Sequence, residues 1–220
     1  MVDQRVRMTG QERRAQLLDI GRSVFAELGY EAASIEEIAK RAQITKPVVY
    51  EHFGGKEGLY AVVVDREVRR LVGAITGALD GSHPKALVEQ AAQAFLTYIE
   101  TEPEGFRILV RDSPVAASTG TLASVIGDIA MQVEHILAQQ FRARGFNTKL
   151  APLYSNSLVG MVALVGQWWL DAGKPERDVV AAHLVNLAWN GLKDLQKEPE
   201  LSAPQRSPIG GQIPNKNRPL

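Results

Sequence analysis

An all-α fold is predicted for this chain, with a small three-helix head at the N-terminus and a larger helical body behind it. Apolar residues recur at helical spacing through most of residues 9–197. The periodic runs open on capping residues or proline and close on glycine or proline. No segment alternates as a strand would. With 220 residues the chain can bury a substantial core, and 45% hydrophobic with 23% charged residues is the balance of a water-soluble globular protein.

Residues 1–8 form a charged arm without periodicity, expected to be disordered; Arg5 and Arg7 within it can reach a minor groove or stay solvated. Thr9 and Glu12 then make a capping box, and Leu17, Leu18, Gly21, Val24, Phe25 and Leu28 follow as one apolar stripe. Arg13 and Arg14 near its start can touch backbone phosphate or form a solvated face. Gly29 is placed to end this helix in the left-handed conformation. Ser34 with Glu37 repeats the capping-box signal before Ile35, Ile38, Ala39 and Ala42, which predicts a second, short helix. Thr45 offers another N-cap and Pro47 falls in the first turn, where its missing N–H is no loss, so a third helix covers residues 46–53.

Gly54-Gly55 closes that helix, and Lys56 opens a long one that runs to about residue 79, with Leu59, Val62 and Val63 on its apolar face. Asp80, Gly81, Ser82, His83 and Pro84 break the pattern and mark the start of the body. Five helices are predicted there, at 85–101, 104–111, 121–144, 151–172 and 176–197, separated by Pro103, Ser113-Pro114, Gly145 and Gly173 with Pro175. Residues 198–220, with five prolines and Gly210-Gly211, are expected to be a disordered tail.

Two short helices joined by three or four residues make a helix-turn-helix, whose second helix enters the DNA major groove. Thr45, Lys46, Pro47 and Val48 fall on the leading turn of that helix, the part that meets base edges. Lys46 can donate to guanine O6 and N7, while the Thr45 methyl, Pro47 and Val48 can pack on thymine methyls. Tyr50, His52 and Lys56 carry donors of suitable length for phosphate oxygens, and Ser34 joins them as a DNA-contacting residue.

The run S-I-E-E-I-A-K-R-A followed by T-K-P-V-V-Y-E-H-F-G-G-K-E-G-L resembles the DNA-binding domain of the tetracycline-repressor (TetR) family, over residues 11–71 with the motif at 34–53. Its Y-x-H-F-x-x-K core is far more specific than a generic helix-turn-helix pattern. The resemblance implies an all-helical homodimer, each subunit a DNA-binding head and a ligand-binding, dimerising body, here 84–197. It implies phosphate contacts for Tyr50, His52 and Lys56 and a recognition helix starting at Thr45, Lys46 and Pro47. One position departs from the family pattern: Gln43 occupies the turn usually held by glycine, where a side chain carries strain.

In the body, the family's dimer interface corresponds to the last two helices. Leu158, Val165 and Trp169 on the first and Leu184, Ala188 and Leu192 on the second are the candidate interface residues, the alternative being that these stripes serve the subunit's own core. Trp189 with Asn190 is placed at its centre. Phe95, Tyr98, Phe106, Met131, His135, Met161 and Trp168 are the candidate lining of an effector cavity, with Tyr98, His135, Asn156 and Gln167 as its polar groups; simple packing is the competing reading.

Composition sets further bounds. Twenty-five basic against 25 acidic residues give no overall field toward nucleic acid, although Arg5, Arg7, Arg13 and Arg14 cluster at one end and Lys40, Arg41, Lys46 and Lys56 surround the motif. Without cysteine there is no disulfide, thiolate metal site or thiol nucleophile. The apolar run 158–170 is shorter than the ~20 residues of a membrane span, and the polar N-terminus suggests a cytoplasmic protein. The four histidines are far apart and no phosphate, dinucleotide or nucleophile-elbow motif occurs, so neither a metal, a cofactor nor catalysis is expected. The expected function is a sequence-specific DNA-binding transcriptional regulator, a repressor released from double-stranded operator DNA by an apolar small-molecule effector. The alternatives are a small-molecule-binding or catalytic helical protein tethered to DNA by its head, and an ungated DNA-binding protein.

Overall fold

The computed structural model describes residues 8–80, 83–110 and 122–200. Arg5, Arg7, the Ser113-Pro114 stop signal and the tail beyond residue 200 lie outside the described residues. Among those described, nine α-helices and one short 3₁₀ turn account for all regular structure: α1 Gly10–Ala32, α2 Ile35–Arg41, α3 Lys46–Phe53, α4 Lys56–Ala78, α5 Pro84–Thr101, α6 Pro103–Val110, α7 Leu122–Arg144, the turn Thr148–Leu150, α8 Ala151–Ala172 and α9 Arg177–Lys193. The last helix ends four residues short of the expected boundary.

Local chemistry accounts for the helix starts. The Thr9 hydroxyl accepts from the Glu12 N–H at 3.3 Å while the Glu12 carboxylate accepts from the Thr9 N–H at 2.7 Å, so the expected capping box is complete. At Ser34 only half of it forms. The Ser34 hydroxyl accepts from the Glu37 N–H at 3.1 Å, but the Glu37 carboxylate turns to Arg41 Nε at 2.7 Å, one turn along the same helix. Gly29, at φ 77° and ψ 170°, kinks α1 instead of ending it, and one further turn follows.

The α2–α3 turn passes through Gln43 at φ 54°. A side chain in the left-handed region costs energy of order 1 kcal/mol. Two backbone bonds hold it there: Ala42 N–H to Ile38 O at 2.9 Å and Ile44 N–H to Ala39 O at 3.0 Å, the second bridging back into α2 as in a Schellman cap.

Packing joins head and body into one continuous core. Leu17, Val24, Phe25, Ile38, Val49 and Leu59 fill the head; Val63, Val64, Leu71 and Ile75 carry the core along α4; Phe95, Leu96, Ile99, Phe106 and Leu109 continue it into α5 and α6. Helix α1 packs on both α4 and α6, α9 on α5, and α7 on α8. In the head, the Phe25 ring meets Tyr60 edge-on at 5.0 Å and stacks near Tyr30 at 6.3 Å. Phe25→Ala is expected to cost about 3–5 kcal/mol, read as a lowered urea midpoint of the full chain with no change in m-value.

Candidate nucleic-acid interface and body cavity

Helix α3 turns Val49 fully into the head core and leaves Thr45, Lys46, Pro47 and Tyr50 exposed, with Val48 half-buried beside them. Thr45 occupies the N-cap position through its backbone alone; its hydroxyl makes no cap hydrogen bond and stays available to a base or phosphate. Lys46 pairs with Glu36 of α2, both side chains largely exposed. Such a pair is weak, so Lys46 can exchange it for a guanine edge. Tyr50 is 53% exposed, and His52 is half-buried next to Phe53. Ser34 spends its hydroxyl on the cap of α2.

Glu51 shares the exposed face of α3, one turn beyond Pro47, and the sequence reading passed over it. A carboxylate there repels phosphate and accepts only from a donor such as the cytosine N4 amino group. Its position one turn past the leading residues was the available signal.

Lys56, expected at a phosphate, and Arg14, expected either at a phosphate or on a solvated face, both make contacts within the head. The Lys56 ammonium lies 4.3 Å from the Tyr30 ring centre and donates to the carbonyls of Tyr30 at 2.9 Å, Ala33 at 3.2 Å and Glu31 at 3.4 Å, which occupies its three N–H groups. It ties the start of α4 to the end of α1, a structural use beside the phosphate contact expected of it. Arg14 stacks on the Phe53 ring at 4.3 Å and donates to the His52 carbonyl at 3.0 Å, satisfying a free carbonyl at the C-terminal end of α3. Arg41 is held by Glu37 and Glu27, both at 2.7 Å. Gly58 completes the brace: a Cβ there would lie 2.0 Å from the Phe53 carbonyl oxygen, so only glycine allows α4 this close to the end of α3.

The body contains a cavity of about 190 Å³ whose walls include Leu71 and Ile75 of α4, Phe95 of α5, Val133 of α7, Met161 of α8 and Leu184 of α9. Its polar lining is confined to Gln140, Trp189 closes one side, and no charged side chain faces it among the described residues. Apolar cavities of about 150 Å³ stay dry and take up apolar guests.

Of the seven expected lining residues, Phe95 and Met161 are on this wall. Phe106 is fully buried one layer behind, edge-on to Phe95 at 5.5 Å. Tyr98 turns away, its hydroxyl donating to Glu67 at 3.0 Å; burial, then the Glu67 charge, drive its pKa far up. Met131 and His135 line a shallow surface groove with Val72, and Trp168 is 56% exposed. With Phe106, these four lie off this wall, as do Asn156, which donates to the Pro152 carbonyl at 2.8 Å, and Gln167. Aromatic and methionine side chains on a helix carry no mark of which side meets a cavity.

The six expected dimer residues are buried or half-buried in the single subunit. Trp169, Leu184 and Ala188 are buried in the subunit, Trp169 Nε1 donating to the Pro175 carbonyl at 2.8 Å; Val165 packs on the core; Leu158 and Leu192 line the cavity, as does Trp189. The opposite faces of the same two helices are the exposed apolar ones: Leu153, Leu164 and Trp168 on α8, Val179 and Leu187 on α9.

A leading helical turn held open to solvent, braced at its far end and packed on a second short helix, is the arrangement of a helix-turn-helix DNA-binding protein. Residues 17–63 match the family model of bacterial regulatory proteins of the tetR family, and residues 74–204 that of a tetracycline-repressor-like C-terminal domain. The chain belongs to the tetR family and is a DNA-binding transcriptional regulator. It is 31% identical over 193 residues to the HTH-type transcriptional activator FasR of Mycolicibacterium smegmatis, covering 84% of this chain and 85% of that protein. It is 24% identical over 190 residues to the HTH-type transcriptional regulator Rv0472c of Mycobacterium tuberculosis, covering 82% and 77%. A TetR-like transcriptional regulator from Rhodococcus sp. RHA1 superposes with a TM-score of 0.73 at 28% identity, over 86% of this chain and all of the other. No helix among the described residues is long and apolar enough to cross a membrane.

Lys46→Ala is expected to weaken operator binding by roughly 1–3 kcal/mol and to relax preference at one base pair, while Tyr50→Ala weakens all sequences alike; competition against single-base operator variants separates the two. Lys56→Ala is expected to lower the melting temperature and to leave the slope of log K against log salt unchanged, since carbonyls of the α1–α4 junction take up its three N–H groups.

Proposed function

We propose that the protein acts as a homodimer whose two heads, residues 11–71, bind the half-sites of a near-palindromic operator, and that an uncharged apolar small molecule entering the body, residues 84–197, releases it. One observation carries this reading: the helix that walls the cavity is the helix that holds the head. Leu71 and Ile75 of α4 face the cavity, while Leu59, Tyr60 and Val63 of the same helix are in the head core. A helix of 23 residues is about 34 Å long, so a tilt of about 5° at one end moves the other by about 3 Å. Operator half-sites are spaced by the DNA helix itself, about 34 Å per turn. Heads displaced by that much no longer fit both grooves. A guest needs only to bind the two arrangements with affinities differing by roughly 5–150-fold.

The lining selects the guest's chemistry. A wall with one amide and no charge among the described residues leaves a buried charge or a hydrogen-bond-rich molecule without partners, so an apolar effector is favoured. Whether release represses or activates transcription depends on where the operator lies relative to the promoter, and the relative named an activator binds DNA through the same kind of head; relief of repression is the reading adopted for this chain.

Leu164, Trp168 and Leu187 supply the dimer face. Exposed large apolar side chains on two successive helices are the material of a subunit contact. Leu164→Glu together with Leu187→Glu is expected to give folded monomers by sedimentation, whereas Ala188→Glu, on the buried side, is expected to abolish folding. Selection of bound DNA from a random pool tests the dimeric binding: a two-fold-symmetric site with half-sites a whole number of turns apart is expected, and recovery of a lone asymmetric half-site would overturn it.

A further inference from the structure

The middle of α4 carries a charge that apolar packing does not require. Glu67 is fully buried, and a carboxylate in such a place persists only if its partners hold it. Arg70, on the same helix, donates to Oε1 at 2.9 Å. Tyr98 of α5 donates its hydroxyl to Oε2 at 3.0 Å. Arg22 of α1 places Nε 3.5 Å from Oε1, and this nitrogen is buried with no hydrogen-bond partner. The other end of Arg22 pairs with Glu102, just past α5, and the neighbouring Ser23 hydroxyl donates to Glu104 of α6 at 2.8 Å. Gly105 of α6 closes the site: a Cβ there would lie 2.1 Å from Glu67 Oε2 and 2.8 Å from the Tyr98 oxygen.

One carboxylate on α4 thus meets α1 of the head and α5 of the body, with α6 packed over it. Glu67 and its partner on α5 are each one helical turn from the cavity wall: Glu67 precedes Leu71 by four residues, and Tyr98 follows Phe95 by three. The hold is uneven. Toward the body it is the Tyr98 hydrogen bond, toward the head a charge attraction at 3.5 Å with an unsatisfied Nε. A group whose buried charge must always be satisfied has discrete arrangements, each with a different set of partners, and a two-state element of that kind is what coupling between sites requires.

We infer that Glu67 and Tyr98 are positioning residues that convert filling of the body cavity into movement of the DNA-binding head. A guest pressing on Leu71 and Phe95 shears α4 against α5, and the Tyr98 hydroxyl leaves Glu67. The carboxylate then takes up the free N–H of Arg22, and α1 moves with it. This inference rests on the effector-gated reading above.

The test uses the full-length protein, the operator recovered by selection, and 1-aminoanthracene, an uncharged probe that fluoresces in apolar surroundings. Operator Kd is measured without and with saturating probe, and the ratio of the two is the readout. The wild type is expected to change by about tenfold. In Tyr98→Phe, which removes one hydroxyl, the ratio is expected to fall below about twofold while probe affinity and probe-free operator Kd stay within about threefold of wild type. Gly105→Ala drives a methyl group against the carboxylate and is expected to lose the ratio by the opposite chemical change; alanine is the better helix former, which favours retention of α6. A merely structural role lowers the melting temperature and shifts both Kd values by one factor, leaving the ratio intact. Wild-type coupling preserved in both variants would overturn the role of Glu67 and Tyr98 alone. A wild type whose operator affinity the probe leaves unchanged would overturn effector gating, and this inference with it.

Discussion

Helix α4 has to be buried in two places at once. Its first half gives Leu59, Tyr60, Val63 and Val64 to the head, and its second half gives Leu71 and Ile75 to the wall of the body cavity. Because protein interiors are close-packed, neither half can shift without its neighbours shifting too. The head cannot be an independent bead on a string. It shares a core with α6 through α1, and its orientation is set by the body it regulates with.

Charge follows the same logic. A protein with as many acidic as basic residues binds a polyanion only if its cations are well placed. Several of them serve to hold the recognition helix rigid: Lys56 seals the α1–α4 junction, Arg14 satisfies the end of α3, and Arg41 joins α2 to α1. What remains exposed at the surface of α3 is a compact face of Thr45, Lys46, Pro47, Tyr50 and Glu51. Rigid presentation of few contacts is a route to specificity, since an ordered side chain loses less freedom on binding.

The departures in α8 and α9 share one cause. These helices carry apolar residues on nearly all sides, as helices with partners on both flanks must. Periodicity identifies such helices well and orders their faces poorly. Trp169 and Trp168 are adjacent in sequence and both aromatic, yet one is buried against the Pro175 carbonyl and the other stands in solvent. The same ambiguity put Tyr98 in the expected cavity lining, where its ring belongs to the core and its hydroxyl to Glu67.

Information local in the chain was legible from residues alone: the caps at Thr9 and Ser34, the proline-led α3, the strained Gln43 turn, and every described helix of the body to within a few residues, because capping, turn chemistry and periodicity act over one or two helical turns. The exposed leading turn of α3 was legible for the same reason. Only the tertiary structure decided which side of each body helix meets the cavity, that Lys56 and Arg14 point inward, and that Glu67 lies under Gly105 with Tyr98 and Arg22 around it. Those outcomes depend on helices far apart in sequence arriving at one point, Tyr98 coming 31 and Gly105 38 residues after the carboxylate they cover. No signal within a single helix encodes that meeting.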